Sequence, residues 1–215
     1  MIISPGRKFI FVHSPKTGGT SLALALENRA MKDDILIGDT PKAKRRAGRL
    51  KGLTPAGRLW KHSTLRDIDG VVDPADYFVF TIVRNPWDRL VSLYHWLQTQ
   101  SFAHPSVQRA QTLSFSDYIN HPATQDTFRT HPYTSYVTTA AGQTRCDLFA
   151  RLEDLEASLA PLWAHLGFTC QVAQVNASQR KADWRGYYSD ADAALIADVC
   201  AADIATFGYR FDPKP

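Results

Sequence analysis

The chain has 215 residues, 44% of them apolar and 21% charged, with a formal charge of +4. A chain of this size and balance buries a real core in one sizeable domain, or at most two small ones, which excludes a disordered protein, and its basic excess favours an anionic partner. No apolar run approaches the ~20 residues of a membrane helix. Cys146, Cys170 and Cys200 are odd in number and widely spaced, which argues against a disulfide framework and a zinc site. With strand-like sequence almost from the first residue and no signal-peptide layout, the expectation is a soluble cytoplasmic protein.

In chain order, "RKFIFVHS" reads as a short buried strand, compact, aromatic and β-branched. "HSPKTGGTS", residues 13–21, follows directly. Its glycines allow positive φ and close approach of a ligand, and amides converging at a helix N-terminus favour an anion. Thr20 and Ser21 add hydroxyls, and Lys16 offers a point charge. The order is unlike that of an ATPase loop, because Lys16 precedes Gly18 and Gly19 instead of following them. Taken alone, the loop reads either as an anion cradle or as a tight turn with a solvent-exposed lysine. "TSLALALENRAMK" is expected to be a helix capped by Thr20 or Ser21. "DILIG" is a second strand candidate.

Lys42, Lys44, Arg45, Arg46, Arg49, Lys51, Arg58 and Lys61 crowd a segment, about 41–61, with little apolar patterning. It is expected to be irregular or briefly helical. It is either a solvated loop or a surface that receives an acidic acceptor. Lacking interleaved aromatics, it is not read as a nucleic-acid platform.

"DYFVFTIVR", residues 76–84, is the strongest strand in the sequence. "NPWDRLVSLYHWLQTQ" continues as a helix, with Asn85 as N-cap, Pro86 at the first helical position and Asp88 at the capping-box position. Arg84 at the strand end presents a planar fork suited to phosphate. Ser92 lies about two turns into the helix, and Arg89 is expected to pair with an acid. A strand–helix pair follows at "CDLFARLEDLEASLAPLWAHLG". A last helix starts near Ser189, with Asp192 completing a capping box and Leu195, Ile196, Val199, Cys200, Ile204 and Phe207 on its buried face.

Strands alternating with helices predict an α/β domain in which ligands bind at the carboxyl ends of strands. Both strong strands end there in suggestive chemistry, one in the glycine loop and one in Arg84. An ATP or GTP site would add an acidic magnesium ligand at a strand end. Here the best strand ends in Arg84, and Asp39 closes only the short "ILIGD".

Together, "FVHSPKTGGTSL" and "FVFTIVRNPWDRLVSLYHW" resemble the 5′-phosphosulfate loop and 3′-phosphate motif of sulfotransferases that use PAPS, 3′-phosphoadenosine 5′-phosphosulfate. The likeness is to the carbohydrate (Golgi-type) branch and its soluble bacterial relatives. It extends through "KHSTL", "DLFARLEDLE" and "NASQRKADWRGYYSDADAALIADVCAADIATFGY".

The resemblance implies a three-layer, P-loop-like fold over residues 1–215, with a central, mainly parallel β-sheet flanked by helices. It implies sulfo transfer by in-line displacement to a hydroxyl of a saccharide or glycoconjugate, leaving adenosine 3′,5′-bisphosphate and needing no metal. By position, Lys16 with Thr17, Gly18, Gly19, Thr20 and Ser21 would hold the phosphosulfate, and Arg84 with Ser92 the 3′-phosphate. Arg180 and Lys181 would close over the nucleotide. Lys16 would stabilise the leaving group and His62 would be the general base. His13 is expected to orient or to hydrogen bond in the core. His131 matches a family His-x-x-Pro-Gln element only in part, with the proline shifted and the glutamine absent. A small-molecule kinase using ATP and magnesium, or a non-catalytic nucleotide- or glycan-binding relative, is the alternative.

Overall fold

A computed structural model describes residues 1–173 and 183–212. It separates into two compact units, one containing Met1–Val83 and the stretch from Tyr133, the other Arg84–Pro132 and the C-terminal stretch.

In the first unit, five strands among the described residues form one sheet. They are β1 (Ile2–Ser4), β2 (Phe9–Val12), β3 (Ile35–Leu36), β4 (Phe78–Val83) and β5 (Leu148–Arg151), in the order β3-β1-β2-β4-β5. β2, β4 and β5 pair in parallel, whereas β1 runs antiparallel to both β2 and β3. Only β1 therefore opposes the common direction, so the sheet is mixed but mainly parallel.

The continuous apolar runs of β2 and β4 follow from burial on both faces. Successive side chains alternate sides. Phe9, Phe11, Phe80 and Ile82 join a core with Leu22 and Leu26 of α1 (Gly19–Asn28) and Ala43 of α2 (Pro41–Arg46), to which Leu159 and Leu162 also belong. Ile10, Val12 and Val79 face the other way, onto Leu65, Ile68, Tyr136 and Val137.

The expected helix after the glycines is shorter and begins earlier than its sequence pattern suggests. Gly18, with φ +73°, is the N-cap of α1, and no side chain caps it. Thr20 and Ser21 lie inside its first turn instead.

The basic segment is ordered by its own charges. Thr40 caps α2 through Ala43 N, and a 3₁₀ turn spans Ala47–Gly52. Lys42 donates to Glu27 O, Arg46 to Met31 O at 2.8 Å, and Arg49 to Lys32 O. These cations satisfy carbonyls in the last turn of α1 and just beyond it, where a helix leaves acceptors unpaired. Lys44, Arg45, Lys51 and Arg58 stay exposed.

The second unit is helical. It contains α3 (Pro86–Gln98), α4 (Pro105–Thr112), α5 (Phe115–Asn120) and α6 (Pro122–Thr130), then α10 (Asp190–Val199) and α11 (Ala201–Phe207). The short helices α7 (Tyr133–Tyr136), α8 (Leu155–Ser158) and α9 (Ala160–Leu166) belong to the first unit. Asn85 caps α3 through Trp87 N at 3.1 Å. Ser189 caps α10 through Asp192 N at 3.1 Å. Asp192 also accepts from Ser116 and Asn120, which ties α10 to α5. Burial opposes the charge on Asp192, but these hydrogen bonds outweigh it and lower its pKa. The expected last helix is broken at Cys200 into α10 and α11. Ile196, Val199, Cys200 and Phe207 are buried, whereas Leu195 and Ile204 are only half-buried. Arg89 pairs with Asp203 at 3.9 Å and lies over the ring of Phe128.

Among the described residues no helix is long and apolar enough to cross a membrane.

Candidate active site

The first unit carries the loop between β2 and α1. Ser14 is fully buried, its Oγ 2.9 Å from Thr81 Oγ1 on the neighbouring strand. The Thr17 hydroxyl turns inward and donates to Ser14 O at 2.8 Å, so this residue offers a ligand its backbone, not its side chain. Lys16 sits in the left-handed region at φ +64°. For a residue with a Cβ this conformation costs about 1–2 kcal/mol, and it is held here at the mouth of an uncapped helix. The first amides of such a helix, with its dipole behind them, form an anion site.

The left-handed backbone of Gly18, at φ +73°, and a close contact at Gly19 explain why both glycines are needed. A Cβ on Gly18 would lie 2.8 Å from Leu152 Cδ1, and one on Gly19 would lie 2.3 Å from His13 Cδ2. His13 is buried, stacked on Phe11 with centroids 5.7 Å apart, and its ring edge closes over the first turn of α1. Burial lowers its pKa well below the usual histidine value, and its neighbours His62, Lys61 and Lys16 act in the same direction.

His62 meets His13 edge to face, with ring centroids 4.7 Å apart, and its Nδ1 lies 2.7 Å from His13 O. A carbonyl oxygen only accepts, so Nδ1 carries the proton and Nε2 holds the lone pair. Burial lowers the His62 pKa to about 4, although the bond to His13 O works in the opposite direction. The ring is therefore a neutral imidazole with its basic nitrogen defined.

Each residue of the turn around His62 has a structural partner. Lys61 Nζ binds Asp39 Oδ2 at 2.7 Å. Ser63 Oγ accepts from Trp60 N at 2.8 Å and lies within bonding distance of Trp60 O and Arg58 O. Thr64 N donates to Asp67 Oδ2 at 2.7 Å. Asp39 is thus engaged by an ammonium, which holds its carboxyl below the usual range although burial pushes the other way.

In the second unit, Arg84 directs Nε and Nη2 to Asp88 Oδ2 at 2.8 and 2.7 Å. Ser92 is buried one turn further along α3, on the same side as Asp88. The described part of the C-terminal motif lies against α3. Trp87 Nε1 donates to Ala193 O at 3.0 Å, Tyr188 donates to Trp87 O at 2.8 Å, and Trp184 stacks parallel to Trp87.

A model of the sulfotransferase family matches residues 1–196. The chain belongs to the sulfotransferase family. Among solved structures it is similar to mouse sulfotransferase SULT7A1 complexed with PAP, with a TM-score of 0.50 and 16% identity over 96% of this chain and 87% of that one. At that identity the likeness shows the shared P-loop-like α/β fold. No curated protein sequence matches.

By its family the chain is accordingly a sulfotransferase enzyme. Within its first unit, the structure brings Lys16, Thr17, Gly18, Gly19, Thr20, Ser21, His13 and His62 into one neighbourhood. Arg84 stands just before the N-cap of α3 and Ser92 on the second turn of that helix, and Arg180 and Lys181 lie outside the described residues. Sequence reasoning did not find Asp88 as the partner of Arg84, although their i, i+4 spacing carries that signal. Nor did it find Trp60, whose ring lies edge-on to His62 with centroids 5.0 Å apart.

Proposed function

We propose that this sulfotransferase moves a sulfo group from PAPS to a hydroxyl of a saccharide or glycoconjugate by in-line displacement, with His62 as general base. The observation that carries the reading is the fixed tautomer of His62, bonded through Nδ1 to the first residue of the Lys16 loop. In the reaction His62 Nε2 takes the acceptor's hydroxyl proton as the acceptor oxygen forms its bond to sulfur. The bond between sulfur and the bridging oxygen of the 5′-phosphate breaks, and its electron pair stays on that oxygen. Lys16 and the first amides of α1 meet the charge that develops there. The products are a sulfate ester and adenosine 3′,5′-bisphosphate, and the proton leaves His62 to solvent.

By family position, Arg84 and Ser92 contact the 3′-phosphate, and Arg180 and Lys181 lie over the nucleotide. The family match runs through sequence from both units, which supports one functional domain. The exposed cations Lys44, Arg45, Lys51 and Arg58 favour an acidic acceptor. Asp39, the strand-end acid a kinase reading would use for magnesium, is instead paired with Lys61. The thiols of Cys146 and Cys200 are pushed up to about 12 by burial, so both stay protonated and inert, in keeping with a reducing cytoplasm.

Calorimetry tests the donor. Adenosine 3′,5′-bisphosphate is expected to bind without added metal and more tightly than ATP with magnesium, and the reverse preference would refute the reading. With labelled PAPS, Lys16→Ala is expected to lose transfer by about 10²–10³-fold, while Arg84→Ala chiefly raises the KM for PAPS. Unchanged turnover in folded Lys16→Ala protein would refute the leaving-group role.

A further inference from the structure

Among the described residues, the large apolar side chains that stand well exposed are Met31, Trp60 and Phe102. Phe102 packs near Trp96 and His104, in the helical unit. Trp60 differs, because its indole touches the proposed base. It is 45% exposed, and its ring meets His62 at 88°.

The backbone that presents it is fixed on both sides. Fully buried Ser63 holds the Trp60 amide and closes the turn with a Ser63 N to Trp60 O bond of 3.0 Å. Beyond it, Asp67 binds Thr64, and Leu65 and Ile68 are sunk in the core. Gly57 donates to Asp67 O at 3.0 Å and packs so closely on Asp67 that a Cβ there would lie 2.2 Å from its Oδ1. An aromatic that stays half in water on so constrained a turn gains nothing for the core from that open surface.

Resting on the reading above, we propose that Trp60 is the acceptor platform: a pyranose ring lies with its C–H face on the indole, and this places a ring hydroxyl at Nε2 of His62. The indole is rigid and amphipathic, so it orders a ring at little entropic cost. Its setting favours a saccharide over a phenol. The platform is open and shares its turn with exposed Arg58, whereas an apolar phenol suits an enclosed apolar pocket. Trp60 binds and positions the acceptor, and His62 takes the proton.

The test uses ¹⁵N-labelled full-length protein with adenosine 3′,5′-bisphosphate bound, and maltotetraose and tetragalacturonate as probes. The Trp60 indole N–H resonance, assigned by its loss in Trp60→Phe, is expected to shift on adding a saccharide. In transfer assays Trp60→Leu is expected to raise the saccharide KM by about tenfold, the scale of an aromatic contact. Trp60→Phe stays within about threefold, and both variants keep the wild-type affinity for the bisphosphate. An unmoved indole resonance, an unchanged KM in Trp60→Leu, or transfer to p-nitrophenol but to neither saccharide would each overturn the platform. Should Trp60→Leu fail to fold, the resonance still decides. Failure of the wild-type protein to bind the bisphosphate would instead overturn the donor reading beneath it.

Discussion

The proton on Nδ1 of His62 is fixed by an oxygen that has no proton to give, and this contact leaves Nε2 as the lone-pair nitrogen that the proposed base would use. A residue near pKa 4 is neutral throughout the neutral range, so its lone pair is always available, although its proton affinity is low. His62→Ala is therefore expected to lower turnover by about 10²–10⁴-fold and to leave bisphosphate affinity intact. The acid limb of kcat/KM in the wild-type protein is expected near pH 4–5, below the ordinary histidine range. A loss of nucleotide affinity at unchanged turnover would move His62 to the donor side of the site. Lys16 also has unusual local geometry, as does Lys8 at φ 52°, since a side chain other than glycine at φ +64° is retained only where its surroundings impose it.

At the scale of elements, the passage from β2 through the loop into α1 is the part on which the site depends. Gly19 is required because His13 occupies the space of a Cβ. Gly19→Ala is expected to displace the His13 ring, to destabilise the protein by about 1–3 kcal/mol as overpacking does, and to lower transfer. Denaturant unfolding and assay of the same preparation check both effects. If stability and transfer were unchanged, His13 would not be a wall of this loop. The local patterns of β4, Asn85 and the Ser189–Asp192 cap were legible because each depends on neighbours in sequence. The start of α1 was not, since hydroxyl-bearing Thr20 and Ser21 resemble caps and only the backbone shows that Gly18 holds that position. The order in the basic segment was equally hidden. Lys42 and Arg46 read as loose charge until the carbonyls at the end of α1 are placed beside them.

For the whole molecule, the buried histidines make folding sensitive to acid. The folded His62 pKa, about 4, lies below its ordinary value of 6.5, so the unfolded chain binds the proton more readily. Stability from this residue is complete above about pH 6.5 and is lost as pH falls through 4, by up to about 3 kcal/mol. His13 is lowered as well and adds loss in the same direction. Glu27, whose carboxyl burial raises, acts in the opposite sense as acid protonates it. Urea midpoints are expected to fall between pH 7.5 and 4.5, and midpoints that hold steady over that range would show the histidines to be protonatable in the folded state.

The sequence by itself determined the family: two strand ends followed by characteristic loop residues in a fixed order need only local pattern and spacing. It also determined β2 and β4, whose apolar runs declare burial on both faces, but not the short β1, which lies between β3 and β2. Only the tertiary structure decided which nitrogen of His62 is basic, that the Thr17 hydroxyl turns inward, that Asp88 takes Arg84, and that Trp60 stands at the base. Only the first of these joins segments distant in the chain; the other three join residues two to four positions apart, whose side-chain directions the sequence leaves open. The donor loop was legible because backbone amides and glycines act through their immediate neighbours. The tautomer of His62 was not, because its partner lies 49 residues away in the chain.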